Sequence, residues 1–126
     1  MENGENNNEN VAEVGTLENP SATGTNPDIP DMTPAAQANH AKHLQPGKSY
    51  PGMSMEEYVR KAGELVRSEV GGDIDGYLAG DGAVVRYNKV THDWAKAYVT
   101  GVATMFIPRD EVDYFNRQKI LDGGTT

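Results

Sequence analysis

The chain contains no cysteine. Disulfide staples, thiolate nucleophiles and cysteine-based zinc sites are thereby excluded, and any chemistry must come from other side chains. Long apolar runs are missing too. No stretch approaches the roughly 20 residues that cross a bilayer as a helix. The N-terminus shows neither the basic region nor the apolar segment of a secretory signal. A soluble, cytoplasmic chain without a membrane partner is the expectation. One further absence is local: residues 1–34 hold no Lys and no Arg, yet they carry Glu2, Glu5, Glu9, Glu13, Glu18, Asp28 and Asp31.

That segment is rich in Asn, Gly, Thr and Pro and has few large apolar residues. It cannot bury enough surface to offset the entropy of ordering it. The composition predicts a disordered acidic leader over 1–34, a folded domain over 35–122 and a flexible tail over 123–126. The leader also explains most of the net charge of −8. Of 19 acids in the chain, seven lie in the leader, which leaves twelve against 11 Lys and Arg beyond it. The folded part is near neutral, so electrostatics neither argues for a nucleic-acid partner nor excludes one. Its length suits one domain and is too short for two.

Local signals divide the rest cleanly. Thr33 can cap a helix, Pro34 suits its first position, and good formers continue from Ala35 to His43 before Pro46 and Gly47 close it. Ser54 with Glu57 forms a capping box for a second helix. Along it Met55, Tyr58, Val59, Ala62, Leu65 and Val66 make one apolar stripe, and Gly71-Gly72 stops it. The period then changes to that of strands, predicted over 74–78, 83–88, 94–99 and 102–107. A glycine-containing turn, 79–82, joins the first two as a hairpin. Short connections make an antiparallel meander the economical topology. Asp110 is the expected cap of a last helix reaching Leu121. The fold class is therefore α+β: a small four-stranded antiparallel sheet, packed on one face by N-terminal helices and a C-terminal helix.

Several polar residues on these elements could carry chemistry. His40 and His43 stand at i, i+3 and share a helix face. Such a pair can begin a metal site, but the third ligand and the usual metal spacing are missing, and no metal or other cofactor is expected. The pair can also simply favour a helix C-terminus, or one member can act as general acid or base, with Lys42 lowering its pKa. Arg86 is either a solvent-facing strand residue or a fixed guanidinium for a phosphate. Thr104 suits a strand, and its hydroxyl could also hold a phosphate oxygen. Tyr87 and Tyr114 can be half-core, or can stack a base or present a phenol. Trp94, Lys96 and Tyr98 alternate on one strand face, a pattern that serves either to cover a helix or to stack single-stranded bases.

The order of short motifs resembles a known group. It runs from Gln37 and Lys42-His43 through Gly47-Lys48-Ser49-Tyr50 and Glu57-Tyr58-Val59. Gly82, Val85-Arg86-Tyr87, Thr91, Thr104-Met105-Phe106-Ile107-Pro108 and Tyr114-Phe115 follow. Over residues 36–118 this is similar to the small nuclease domains of phage and polymorphic-toxin systems in the barnase, EndoU, colicin E5/D and RelE-like group. The resemblance implies a metal-independent endoribonuclease, in which the RNA 2′-hydroxyl attacks the adjacent phosphate. It implies catalytic roles for His43, Arg86, Thr104 and Tyr114, and substrate binding by His40, Lys42, Lys48 and Tyr87. The implied partners are an RNA substrate, tRNA among the candidates, and a cognate inhibitor or a phage structural protein. Three positions depart from the group's usual pattern: Asn88 stands for Asp, His92 for Asn and Ile107 for a phosphate-binding Lys. The alternative implied by these departures is a binding or assembly module of a phage or mobile element that keeps the fold without catalysis.

Overall fold

The computed structural model describes residues 20–125, and the first nineteen residues of the expected leader lie outside it. The first helix, α1, spans Pro34–His40, with the Thr33 hydroxyl accepting from the Ala36 amide. Instead of continuing to His43 as an α-helix, the chain tightens into a 3-10 turn over Ala41–Leu44. The second helix, α2, spans Met55–Arg67, and Ser54 caps it through the Glu57 amide as its capping box predicts. It ends before the Gly71-Gly72 pair, because the Ser68 hydroxyl turns back to the Glu64 carbonyl and its amide to that of Leu65.

Strands β1 (Ile74–Leu78), β2 (Val84–Asn88), β3 (Trp94–Tyr98) and β4 (Gly101–Phe106) form one sheet in sequence order. Every neighbouring pair is antiparallel, and a bulge interrupts the register at Lys96/Ala97. The last helix, α3, spans Val112–Leu121. Asp110 does not cap it. Glu111 occupies that position without a side-chain cap, and Asp110 instead pairs with Arg117 at 3.1 Å. The result is the expected α+β meander with helices before and after the sheet. Among the described residues no helix is long and apolar enough to cross a membrane.

The helices lie on both faces of the sheet, which corrects the one-faced packing expected above. Val84, Ala95, Ala97, Val102 and Met105 pack toward Tyr58, Ala62, Leu65 and Val66 of α2. Tyr77, Val85, Tyr87 and Trp94 form a second cluster with Phe115 of α3. Strand side chains alternate between faces, so these two sets point in opposite directions. The signal is in β2: the run Val84-Val85-Arg86-Tyr87 is buried throughout, as a strand covered on both sides must be.

The boundary expected at residue 35 lies further upstream. Within the supposed leader, Asn26, Ile29 and Met32 are buried. Residues 20–33 form a strap across α2 and β4. It is bonded through Asn26 N to Arg67 O, Val70 N to Thr23 O, and Val102 N to Pro30 O. Arg67 also grips it, donating to the Ile29 carbonyl and pairing with Asp31 at 2.9 Å. Composition averaged over 34 residues hides a short segment whose backbone, more than its side chains, holds it to the body. The tail is likewise anchored. Thr125 exchanges two backbone bonds with Leu78, and the Tyr77 hydroxyl donates to Asp122.

Arg86 ties the strap to the sheet. Its side chain is completely buried on the α2 side. Nε donates to Ser68 O, one terminal nitrogen to Val85 O, and the other to Ser21 O and Gly24 O, at 2.9–3.1 Å. Burial pushes its pKa down to about 10, with Asp75 opposing the shift, so it stays charged at neutral pH. The guanidinium crosses β1 at Gly76, its register partner. A Cβ there would lie 2.5 Å from Val85 O and 2.7 Å from the guanidinium. Arg86→Ala is therefore expected to lower stability by about 3 kcal/mol or more, since it orphans several buried carbonyls. Gly76→Ala should cost about 1–3 kcal/mol by overpacking. Urea unfolding checks both; a change within about 0.5 kcal/mol for Arg86→Ala, as at an ordinary surface position, would contradict this role.

Candidate functional site

The 3-10 turn decides how the two histidines meet. In such a turn residues i and i+3 eclipse one another. The rings of His40 and His43 accordingly stack, 5.4 Å apart and 9° from parallel. They lie against β4: His40 Nδ1 is 3.4 Å from the Thr104 hydroxyl, and His43 stacks on Phe106 at 5.8 Å. Tyr58 fixes this end of β4 from the α2 side. Its hydroxyl donates to Met105 O at 2.6 Å and accepts from Met105 N at 3.1 Å.

An open cleft of about 530 Å³ begins at His43. Lys48 and Ser49 line one wall, and Ile107, Pro108, Arg109 and Glu111 line the other. The two walls are held together by the Ile107 amide, which donates to the Ser49 hydroxyl at 2.9 Å. Lys48 and Arg109 thus share the cleft with one imidazole and with the Glu111 carboxylate, and the two cations suit it to an anionic ligand. Ile107 removes one expected phosphate contact, yet Arg109, two residues on, brings a guanidinium to the same wall.

Both imidazoles hold their protons weakly. His43 is shifted below its usual 6.5 by partial burial first, then by the neighbouring charges of His40, Lys42 and Lys48. Partial burial and Lys42 lower His40 as well, while a hydrogen bond to the Ala103 backbone opposes the shift.

Not every residue named from the sequence reaches this place. His40, His43 and Thr104 come together, and Lys48 lines the cleft. Lys42 is exposed and acts on both rings through its charge. Arg86 does not converge on His43: it belongs to the opposite face of the sheet, and its donors are taken by main-chain carbonyls. Tyr87 is fully buried under α3, with its hydroxyl 2.8 Å from His92 Nδ1, and is not free to meet a substrate. Tyr114 is one ring removed from His43, packed edge-on against Trp94 and Phe106.

Trp94 is 3% exposed beneath Tyr114 and Phe106, and Tyr98 donates to Asp81, so the strand face they share covers a helix and a turn rather than offering a stacking platform. Among the described residues no group of three His, Asp or Glu side chains is placed to hold a metal ion.

Two cleft residues were missing from the sequence-derived set, Arg109 and Glu111. The available signal was the charged triplet Arg109-Asp110-Glu111 directly after the last strand, where helix capping was the competing explanation.

A scan against protein-family models finds no match for this chain, and a search of curated proteins finds none either.

The histidine shifts have a testable sign. A histidine whose folded pKa lies below its unfolded value contributes stability that is complete above about 6.5 and is lost as pH falls through the folded value. In an NMR titration both rings should titrate below 6.5. Lys42→Ala should raise both values, and Lys48→Ala should raise that of His43 alone. Equal responses of the two rings to Lys48→Ala would contradict the placement of Lys48.

Proposed function

We propose that this chain is a metal-independent endoribonuclease of the toxin type, with its reaction centred on His43. The observation that carries this reading is the position of His43. Its imidazole stands between the Thr104-His40 pair and a cleft walled by Lys48 and Arg109. Phosphodiester cleavage needs a group that moves a proton near neutral pH and cations that hold the phosphate as charge develops on it.

The reaction uses the RNA's own 2′-hydroxyl. Its oxygen forms a bond to phosphorus, the bond from phosphorus to the 5′-oxygen breaks, and a 2′,3′-cyclic phosphate and a free 5′-hydroxyl result. His43 transfers a proton at one of these oxygens. Lys48 and Arg109 hold the non-bridging oxygens, a role the resemblance gave to Arg86 and which Arg109 fits better on position. His40 backs His43, and the Thr104 hydroxyl orients His40. Tyr114 shapes the ring stack behind Phe106. RNA is the substrate class, with tRNA the natural first probe.

The purified protein should cleave total tRNA in the presence of EDTA and leave cyclic phosphate ends. His43→Ala should lower the rate about 10²–10⁴-fold, the usual contribution of a positioned acid or base. Lys48→Ala and Arg109→Ala should lower kcat as well as raise KM, because each removes a charge that meets the developing negative charge on phosphate. Intact tRNA at high protein concentration would sink the reading. So would a His43→Ala protein as active as the parent.

A further inference from the structure

Away from the His43 cleft, a smaller cavity of about 210 Å³ lies between the C-terminal half of α2 and the β2–β3 turn. Asp93 stands in its wall, 9% exposed. One carboxylate oxygen accepts from the Tyr50 hydroxyl and the other from the Thr91 hydroxyl, both at 2.7 Å. These partners are neutral, and among the described residues Asp93 makes no ion pair. A carboxylate oxygen can accept two hydrogen bonds, so each keeps room for one more. A carboxylate held this deep gains most from a cation that also donates hydrogen bonds. Asn88 is fixed beside it. Its Oδ1 accepts from the Val90 and Thr91 amides at 2.8 and 3.0 Å, which leaves the NH2 group as a donor on the same wall. Lys61 lines the cavity too and pairs with no carboxylate among the described residues, while Glu64 is turned to Arg60 at 3.0 Å. Leu65 and Ile74 supply the apolar surface. The turn that carries Asn88, Thr91 and Asp93 is held from two sides. Tyr50 grips Asp93, and His92 Nε2 lies 3.6 Å from a Glu111 carboxylate oxygen. His92 and Glu111 are the only described non-glycine residues with positive φ, at 68° and 52°. A backbone clamped in this way keeps its polar groups in place before a ligand arrives, which lowers the ordering cost of binding.

We propose that this cavity binds a free α-amino acid with an aliphatic side chain. The ligand's ammonium group donates to the Asp93 carboxylate. Its carboxylate accepts from Lys61 Nζ and from the Asn88 amide, and its side chain rests on Leu65 and Ile74. Each end of such a zwitterion meets a charge of opposite sign. A simple amine would leave Lys61 unmatched, and a simple anion would face Asp93. Size points the same way. Sites for drug-sized ligands hold roughly 300–1,000 Å³. This cavity is smaller, which suits one small metabolite and not a nucleotide or a peptide. The site shares no lining residue with the His43 cleft, and the inference stands apart from RNA cleavage.

An NMR titration of the full chain with leucine and its two half-ligands separates the contributions. Leucine should shift the amide signals of Asn88, Thr91 and Asp93 saturably, with a Kd of about 1 mM or tighter. 3-Methylbutylamine lacks the carboxylate and 4-methylpentanoate lacks the ammonium group, so each should bind at least about tenfold more weakly. Lys61→Ala, outside the core, should weaken leucine about tenfold and leave the amine unchanged. Asp93→Asn, which can keep the contacts to Tyr50 and Thr91, should weaken leucine and the amine alike. No saturable shift up to about 10 mM leucine would overturn the proposal, as would shifts centred on other residues. An amine that binds as tightly as leucine would do the same. Putrescine binding more tightly than leucine would make Asp93 and Glu64 a diamine site and overturn it too. Should Asp93→Asn fail to fold, Lys61→Ala decides: unchanged leucine affinity there removes the proposal.

Discussion

A buried guanidinium sets the terms for the rest of this fold. Arg86 sits at zero exposure, and among the described residues no carboxylate lies within ion-pair distance of it. Its charge is met by carbonyl dipoles from four places: β2 itself, the end of α2, and two points on the strap. Removing such a group from water is costly unless its donors are satisfied, so those carbonyls must be where they are. The requirement explains the strap's course at residues 21–24, the early end of α2 at Ser68, and a glycine at position 76. It also keeps β2 in register under α2, and through β3 it sets the height of β4, on which His40 and His43 rest.

Much of the architecture could be read from local chemistry. The Ser54 cap, the stripe from Met55 to Val66 and the meander were legible because each depends on neighbours in sequence. The two-sided burial of the sheet was less so. A short apolar run such as Val84-Val85 fits either one covered face or two, and the choice rests on where α3 returns, which is a long-range matter. The strap was hidden for another reason: polar, proline-rich composition measures side-chain burial, and this segment is held largely through its main chain.

For the candidate site the division is similar. His40, His43 and Thr104 were legible as a set, since the helix spacing and the strand signals place them. Arg86 was misread because a lone arginine in a strand looks alike from sequence whether it faces solvent, phosphate or carbonyls; Gly76 in the facing strand was the available hint of close approach. The contact between Glu111 and His92 carries no sequence signature. Positive φ at a non-glycine residue is imposed by the surroundings, so only the folded backbone reveals that these two positions are linked.

The sheet's borders carry a last consequence. On β1 the amides of Ile74, Gly76 and Leu78 are taken by Gly71, Asp75 and Thr125. On β4 and just beyond it, Val102, Met105 and Ile107 give theirs to Pro30, Tyr58 and Ser49. A visiting strand would find no run of free amides at either border, so recognition by strand addition is closed to this domain. A protein that binds the described part must read side chains, and among the described residues Ile120 and Leu121 at the end of α3 are the most exposed large apolar ones. The same sealing protects the sheet from joining its own copies edge to edge.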